Sequence, residues 1–89
     1  MKTTRSLKQF KKDVKRIQKS GKDMTKLKEV IDNLANDKTL EPRYCDHALI
    51  GHYEGYRDCH IEPDWLLIYQ NSETELVLVR TGSHSDLFK

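Results

Sequence analysis

The run Tyr56-Arg-Asp-Cys-His-Ile-Glu-Pro-Asp-Trp-Leu-Leu-Ile-Tyr69 decides the fold of this chain. Tyr56 to Glu62 reads as a strand, Pro63-Asp64 as a tight turn, and Trp65 to Gln70 as a second strand. So short a turn makes the two strands antiparallel. Leu66-Leu67-Ile68-Tyr69 is apolar throughout, the pattern of a central strand covered on both faces. Asn71-Ser-Glu-Thr then forms a second turn, and Glu75 to Thr81 a third strand, which completes a meander. Strand alternation sends Cys59 and Ile61 toward a core and leaves Asp58, His60 and Glu62 on the other face, with Tyr56 at their edge. On the third strand the same rule groups Leu76, Leu78 and Arg80 against Val77 and Val79. An arginine at the end of an apolar strand is a poor core residue, so Arg80 is expected beside the His60 face.

Upstream the periodicity is helical. Ser6 and Gln9 have the form of a capping box. Phe10, Val14 and Ile17 recur at spacings of four and three, which places them on one helix face. Gly21 falls where a left-handed C-terminal cap belongs. A second helix begins near Asp23 or Thr25 and runs to about Asn36, with Leu27, Val30, Ile31 and Leu34 as its apolar stripe. From Lys38 to Gly55 the pattern breaks, with Pro42, Gly51 and Gly55 as punctuation. A connector this long in a small domain is commonly functional. The expected architecture is a single α+β domain over residues 1–89. Two N-terminal helices pack on a small antiparallel sheet, a three-stranded meander with room for an N-terminal edge strand, followed by a short C-terminal tail or helix.

Composition narrows the class. The 89 residues are 34% charged and 36% hydrophobic, as in globular proteins. No run of 18 apolar residues is present, which argues against a membrane span. The stretch Met1-Lys-Thr-Thr-Arg-Ser-Leu-Lys8 lacks the apolar segment of a secretory signal, so the expected location is cytoplasmic, with Cys45 and Cys59 reduced rather than bridged. Net charge is +2, unevenly spread: residues 1–40 hold 12 Lys+Arg against 5 Asp+Glu, while residues 41–89 hold 4 against 9. The basic half, with Lys8, Lys11, Lys12, Lys15, Arg16 and Lys19 on the first helix, suits phosphate contact. A solvated helical surface has the same composition.

His47, His60, His84, Arg80 and Asp64 together suit metal-free RNA cleavage. RNA carries its own nucleophile, the 2′-hydroxyl. Cleavage needs a base for that proton, an acid for the leaving 5′-oxygen and a cation for the charge on phosphorus. Imidazole serves as acid or base near neutral pH. A guanidinium stabilises the non-bridging oxygens. Trp65, Tyr56 or Phe88 offers an aromatic face to an unpaired base, although a single Trp also suits a core anchor. Zinc on Cys45, His47, Cys59 and His60 is the rival reading. It is opposed by the adjacency of Cys59 and His60, which point to opposite faces of one strand. No cofactor is called for, and no carboxylate cluster suits magnesium.

The segments Asp46-His47-Ala-Leu49, Gly55 to Tyr69 and Arg80-Thr-Gly-Ser-His-Ser-Asp-Leu-Phe88 resemble the YafQ-type toxins of the RelE/ParE superfamily, and the similarity extends over essentially the whole chain. The resemblance implies a bacterial type II toxin that enters the ribosomal A site and cuts mRNA there. Its expected partners are a cognate antitoxin, the ribosome and mRNA, with operator DNA reached only through the antitoxin and no membrane. The active-site positions carried over are His47, His60, Asp64, Trp65, Arg80, His84 and Phe88. Under this resemblance His84 is the general acid, His60 or Asp64 stands on the base side, and His47 supports them. Arg80 meets the phosphate. Trp65 and Phe88, with Tyr56 and Arg57 of the hairpin, contact the nucleotide, while the lysine-rich helix lies on ribosomal RNA. Tyr53 stands where a tryptophan is expected, and Ile50 and Glu54 where the family tends to be basic. Two other outcomes stay open: a ParE-like non-catalytic inhibitor of DNA gyrase, and a plain RNA-binding module.

Overall fold

Five consecutive side chains, Trp65 to Tyr69, are buried, and the remaining elements are laid around them. The computed structural model describes residues 2–88. In chain order it comprises β1 (Thr3–Ser6), α1 (Lys8–Lys19), α2 (Met24–Ala35), β2 (His47–Ala48), β3 (Arg57–Glu62), β4 (Trp65–Asn71), β5 (Glu75–Gly82) and α3 (His84–Leu87). Two 3₁₀ turns, Pro42–Tyr44 and Gly51–Tyr53, lie in the long connector. The sheet has the order β1-β5-β4-β3-β2. The expected meander forms its centre, but the sheet has five strands. The N-terminal edge strand exists and runs parallel to β5, while β2 adds a two-residue strand on the far side of β3.

The two faces of β4 serve separate cores. Trp65, Leu67 and Tyr69 join Cys59, Ile61, Leu76 and Leu78 beneath the helices, where Phe10, Ile17, Leu27, Val30 and Leu34 close the layer. Leu66 and Ile68 join Val77, Val79 and Leu87 on the opposite face, which has no long helix over it. Leu7, Leu49, Tyr53 and Tyr56 cover part of it instead. Each large side chain in these layers excludes water on both sides, and truncating one such as Leu67 to Ala costs about 2–5 kcal/mol.

Helix ends differ in how well the sequence marks them. Asp23 caps α2, accepting a hydrogen bond from the Thr25 backbone N–H. Gly21 has φ +83° one residue beyond the C-cap of α1, as its left-handed role requires. The Ser6–Gln9 capping box does not form. Ser6 is the last residue of β1, Leu7 takes the N-cap place without a side-chain bond, and Gln9 Nε2 turns inward to Asp13. Pairing with β5 holds Ser6 extended, and this outweighs a local cap of about 1 kcal/mol.

Two register steps change which face the polar residues occupy. One lies in β3 between His60 and Glu62. Beyond it Glu62 leaves the face of Asp58 and His60 and pairs with Lys22 and Lys26 near the start of α2. The other lies opposite the Ile68–Tyr69 step of β4: Tyr69 faces Leu78, but Ile68 faces Arg80. Val79 is the extra residue, so Arg80 parts from Leu76 and Leu78 and emerges on the face of Ile68.

Candidate active site

The register builds one row of side chains on the face away from the helices: His47 opposite Asp58, Asp58 opposite Ile68, and Ile68 opposite Arg80. His60 lies two residues along β3 from Asp58 on the same face. α3 follows β5 directly and brings His84 to the end of this row. The ring centroids of His60 and His84 are 5.4 Å apart, and those of His47 and His60 are 6.5 Å apart. Three imidazoles from a loop strand, a core strand and the C-terminal turn are therefore brought together, with His60 next to both of the others.

Each outer imidazole is held by oxygen. His84 donates through Nδ1 to Asp64 Oδ1 at 2.6 Å, and its backbone N–H donates to the same oxygen at 2.9 Å. Asp64 sits in the β3–β4 turn, so the turn fixes the orientation of the C-terminal ring. These bonds hold the Asp64 carboxyl below the usual carboxylate range. His47 Nδ1 lies 2.7 Å from the carbonyl oxygen of Cys45 and 3.2 Å from Asp58 Oδ1. A carbonyl or carboxylate oxygen can only accept, which puts the Nδ1 proton on both rings and leaves each Nε2 for other partners.

Asp58 is the acid the sequence reading left out of the site. It is 3% exposed, and its Oδ1 lacks a well-aligned hydrogen bond. Burial pushes its carboxyl up, while His47, His60 and His84 pull it back down. The alternation of β3 carried the signal, since Asp58 and His60 share a face.

Arg80 is 23% exposed in its side chain and is held by Asp13 of α1, with Nε donating to Oδ2 at 2.8 Å and Nη2 to Oδ1 at 3.2 Å. Asp13 is fully buried. Burial alone would raise its carboxyl; the bonds from Arg80, the Thr81 N–H and Gln9 outweigh that and hold it low. Tyr53 lies against Arg80 and packs edge-on to Phe88, with ring centroids 5.7 Å apart. Phe88 is 40% exposed, an accessible aromatic face at the rim. Tyr56 is half-buried beside Tyr53.

Three expected contacts are placed elsewhere. Trp65 is 1% exposed and belongs to the helix-side core, where its Nε1 donates to Thr81 Oγ1 at 2.9 Å. It shares a face with Leu67 and Tyr69, so no base can stack on it. Arg57 alternates away from His60, opposite Tyr69, and its Nε donates to Asp46 at 3.2 Å. Arg16 is bound within the fold, to Asp13 at 3.1 Å, the Thr81 carbonyl at 3.3 Å and Asp86 at 3.5 Å. Lys8, Lys11, Lys12, Lys15 and Lys19 are exposed along α1. His52 is exposed in its turn. Among the described residues no group of three or more His, Cys, Asp or Glu side chains is arranged to hold a metal ion. Cys59 is buried in the helix-side core, and both cysteines are free thiols.

Comparison with known proteins gives the arrangement relatives. Residues 2–89 match the family described as "Bacterial toxin of type II toxin-antitoxin system, YafQ". The chain is 49% identical over 81 residues to the mRNA interferase toxin YafQ of Escherichia coli K12, covering 90% of this chain and 88% of that one. It superposes on the crystal structure of the E. coli DinJ-YafQ toxin-antitoxin complex with a TM-score of 0.92 and 45% identity, over 99% of this chain and 98% of that one. It also superposes on a metal-bound toxin from Helicobacter pylori, with a TM-score of 0.92 and 47% identity, over 99% of this chain and 100% of that one.

Proposed function

The chain belongs to the YafQ family of bacterial type II toxin–antitoxin toxins, and on that premise we propose that it is a ribosome-dependent endoribonuclease that cuts mRNA in the A site without a metal ion. The observation that carries this reading is the group of three imidazoles beside the buried Asp58, with Arg80 in the same cross-strand row. A binding inhibitor of DNA gyrase has no use for such a row.

The chemistry needs only these groups. His60 takes the proton of the 2′-hydroxyl as the O2′–P bond forms. Arg80 carries the charge that develops on the non-bridging oxygens. The P–O5′ bond breaks, and the leaving oxygen takes a proton from the imidazolium of His84, which Asp64 orients and stabilises. One proton enters and one leaves, giving a 2′,3′-cyclic phosphate and a 5′-hydroxyl; water then opens the ring to a 3′-phosphate. His47, tied to Asp58 and the Cys45 carbonyl, supports the charge of His60. Phe88 offers a stacking face to the base. The exposed α1 lysines meet ribosomal RNA. A cognate antitoxin covers these surfaces, and the setting is the cytoplasm.

Induction in cells with mapping of mRNA 5′ ends tests the proposal. In-frame cuts within codons that disappear in His84→Ala and His60→Ala support it. Growth arrest with intact mRNA refutes it and favours the gyrase reading. Cleavage abolished by a chelator would overturn the metal-free mechanism.

A further inference from the structure

One turn of α1 reaches past the end of β1 to the corner where β5 gives way to α3. β1 pairs with β5 only as far as Leu78, so beyond that point β5 has an unpaired edge. Asp13 fills it: Oδ2 accepts the backbone N–H of Thr81 at 3.2 Å, where a neighbouring strand would have supplied a carbonyl. The same carboxylate takes both Nε and Nη2 of Arg80, and it also accepts from Gln9 at 3.3 Å and Arg16 at 3.1 Å. Five donors on two oxygens use the acceptor capacity of the group in full. Arg16 continues the clamp to the Thr81 carbonyl and to Asp86, which caps α3 and so holds the turn bearing His84. Gly82 leaves room for this. A Cβ there would stand 2.8 Å from Arg16 Nη2 and 3.0 Å from Asp86 Oδ2.

We infer that Asp13 is a positioning residue for the cleavage reaction: it grips one edge of the Arg80 guanidinium so that the opposite edge is presented to the scissile phosphate. The fork fixes the plane of the guanidinium as well as its position. Nη1 and the outer N–H of Nη2 lie on the edge turned away from Asp13, with Tyr53 beside the guanidinium, and meet the oxygens of the substrate. Without the carboxylate the arginine would keep its charge but not its aim, and a displacement of 1 Å costs a rate on the order of 100-fold. A buried ion pair is a weak device for stability alone, since apolar residues of similar volume serve as well. Orientation accounts for its presence at this corner.

The inference rests on the endonuclease reading above, and its test keeps the two apart. With purified toxin on mRNA-programmed ribosomes, Asp13→Asn keeps the side-chain shape and removes the charge. Its kcat is expected to fall about 10- to 100-fold with KM little changed. In an Arg80→Ala background the same change is expected to add less than about 2-fold, because its target is already gone. A wild-type kcat with only a lower Tm, or losses that multiply in the double variant, would overturn the inference. Nitrogen-15 NMR of the unaltered protein gives a second readout that needs no variant to fold: a gripped Arg80 Nε–H exchanges slowly with solvent, and fast exchange would equally overturn it. If the wild type cuts no mRNA, the functional reading fails, while the NMR result still reports on the grip.

Discussion

Asp64 Oδ1 accepts two hydrogen bonds from a single residue, the ring Nδ1–H and the backbone N–H of His84, at 2.6 and 2.9 Å. One oxygen thereby sets both where the C-terminal helix begins and which way its first side chain turns. Asp64→Asn is expected to lower kcat, though by less than the loss of about 10²–10⁴-fold expected for His84→Ala. The amide keeps an acceptor for the backbone N–H but cannot stabilise an imidazolium. Single-turnover cleavage on programmed ribosomes measures both.

Asp58 should trade stability for activity. Its folded pKa is raised by burial, so the cost of keeping it ionised is absent below the unfolded pKa and fully present once pH exceeds the folded one. Asp58→Asn is expected to raise Tm at pH 7–8, where the buried carboxylate is costly. The same substitution should lower the cleavage rate, because the imidazoles lose a counter-charge. Thermal melts from pH 3 to 8 check the sign: the gain should shrink toward acid.

Asp13 has the opposite pH signature. Its folded pKa is depressed by its donors, so its stabilisation is complete above the unfolded carboxylate value of about 3.9 and is lost as pH falls through the folded one. The wild type should hold its Tm from pH 8 to pH 5 against this group and lose it below. Asp13→Asn should flatten the acid limb of the Tm–pH curve.

Trp65 and Phe88 should part company in kinetics. Trp65→Phe removes the donor to Thr81 from a closed core and should lower Tm with KM unchanged. Phe88→Ala leaves the core intact and should raise KM about 5- to 150-fold, the equivalent of one base stack of about 1–3 kcal/mol. Equal effects on KM from the two would contradict the placement of Trp65 in the core.

The lysines of α1 should act through salt. Lys8, Lys11, Lys12, Lys15 and Lys19 are exposed. Each one changed to Ala that had met a ribosomal phosphate should reduce the slope of log affinity against log salt by roughly 0.7–0.9. Ribosome binding measured across a salt series reads this directly, and an unchanged slope would remove the lysines from the interface.

The meander and both helices were legible because hydrophobic periodicity and turn residues mark them. The group of histidines was legible as a set of residues with one kind of use. The register steps were not, since neither Ile61 nor Val79 carries a turn signal, and each moved a charged residue to another face. Glu62 was misplaced for that reason, and Arg80, which does lie on the His60 face as expected, was wrongly grouped with Leu76 and Leu78. The partner of Arg80 lies 67 residues away. Asp13 did leave a trace: it stands three residues after Phe10 and four before Ile17, an acid on the apolar stripe of a basic helix. Trp65 was readable too, since it alternates in phase with Leu67 and Tyr69.

The extra residue at Val79 acts as a parity switch. A strand can offer a charge to one side of a sheet only on alternate residues, and β5 needs Leu76 and Leu78 on one side and Arg80 on the other. Counting by twos cannot supply both. A single inserted residue resolves the conflict without a turn or a second strand, so one length of chain serves as both core and reaction centre. Were Val79 instead paired in step with β4, with no bulge, Arg80 would fall in phase with Leu76 and Leu78 and turn beneath the helices: a protein of the same outline, with its cation on the wrong side of the sheet.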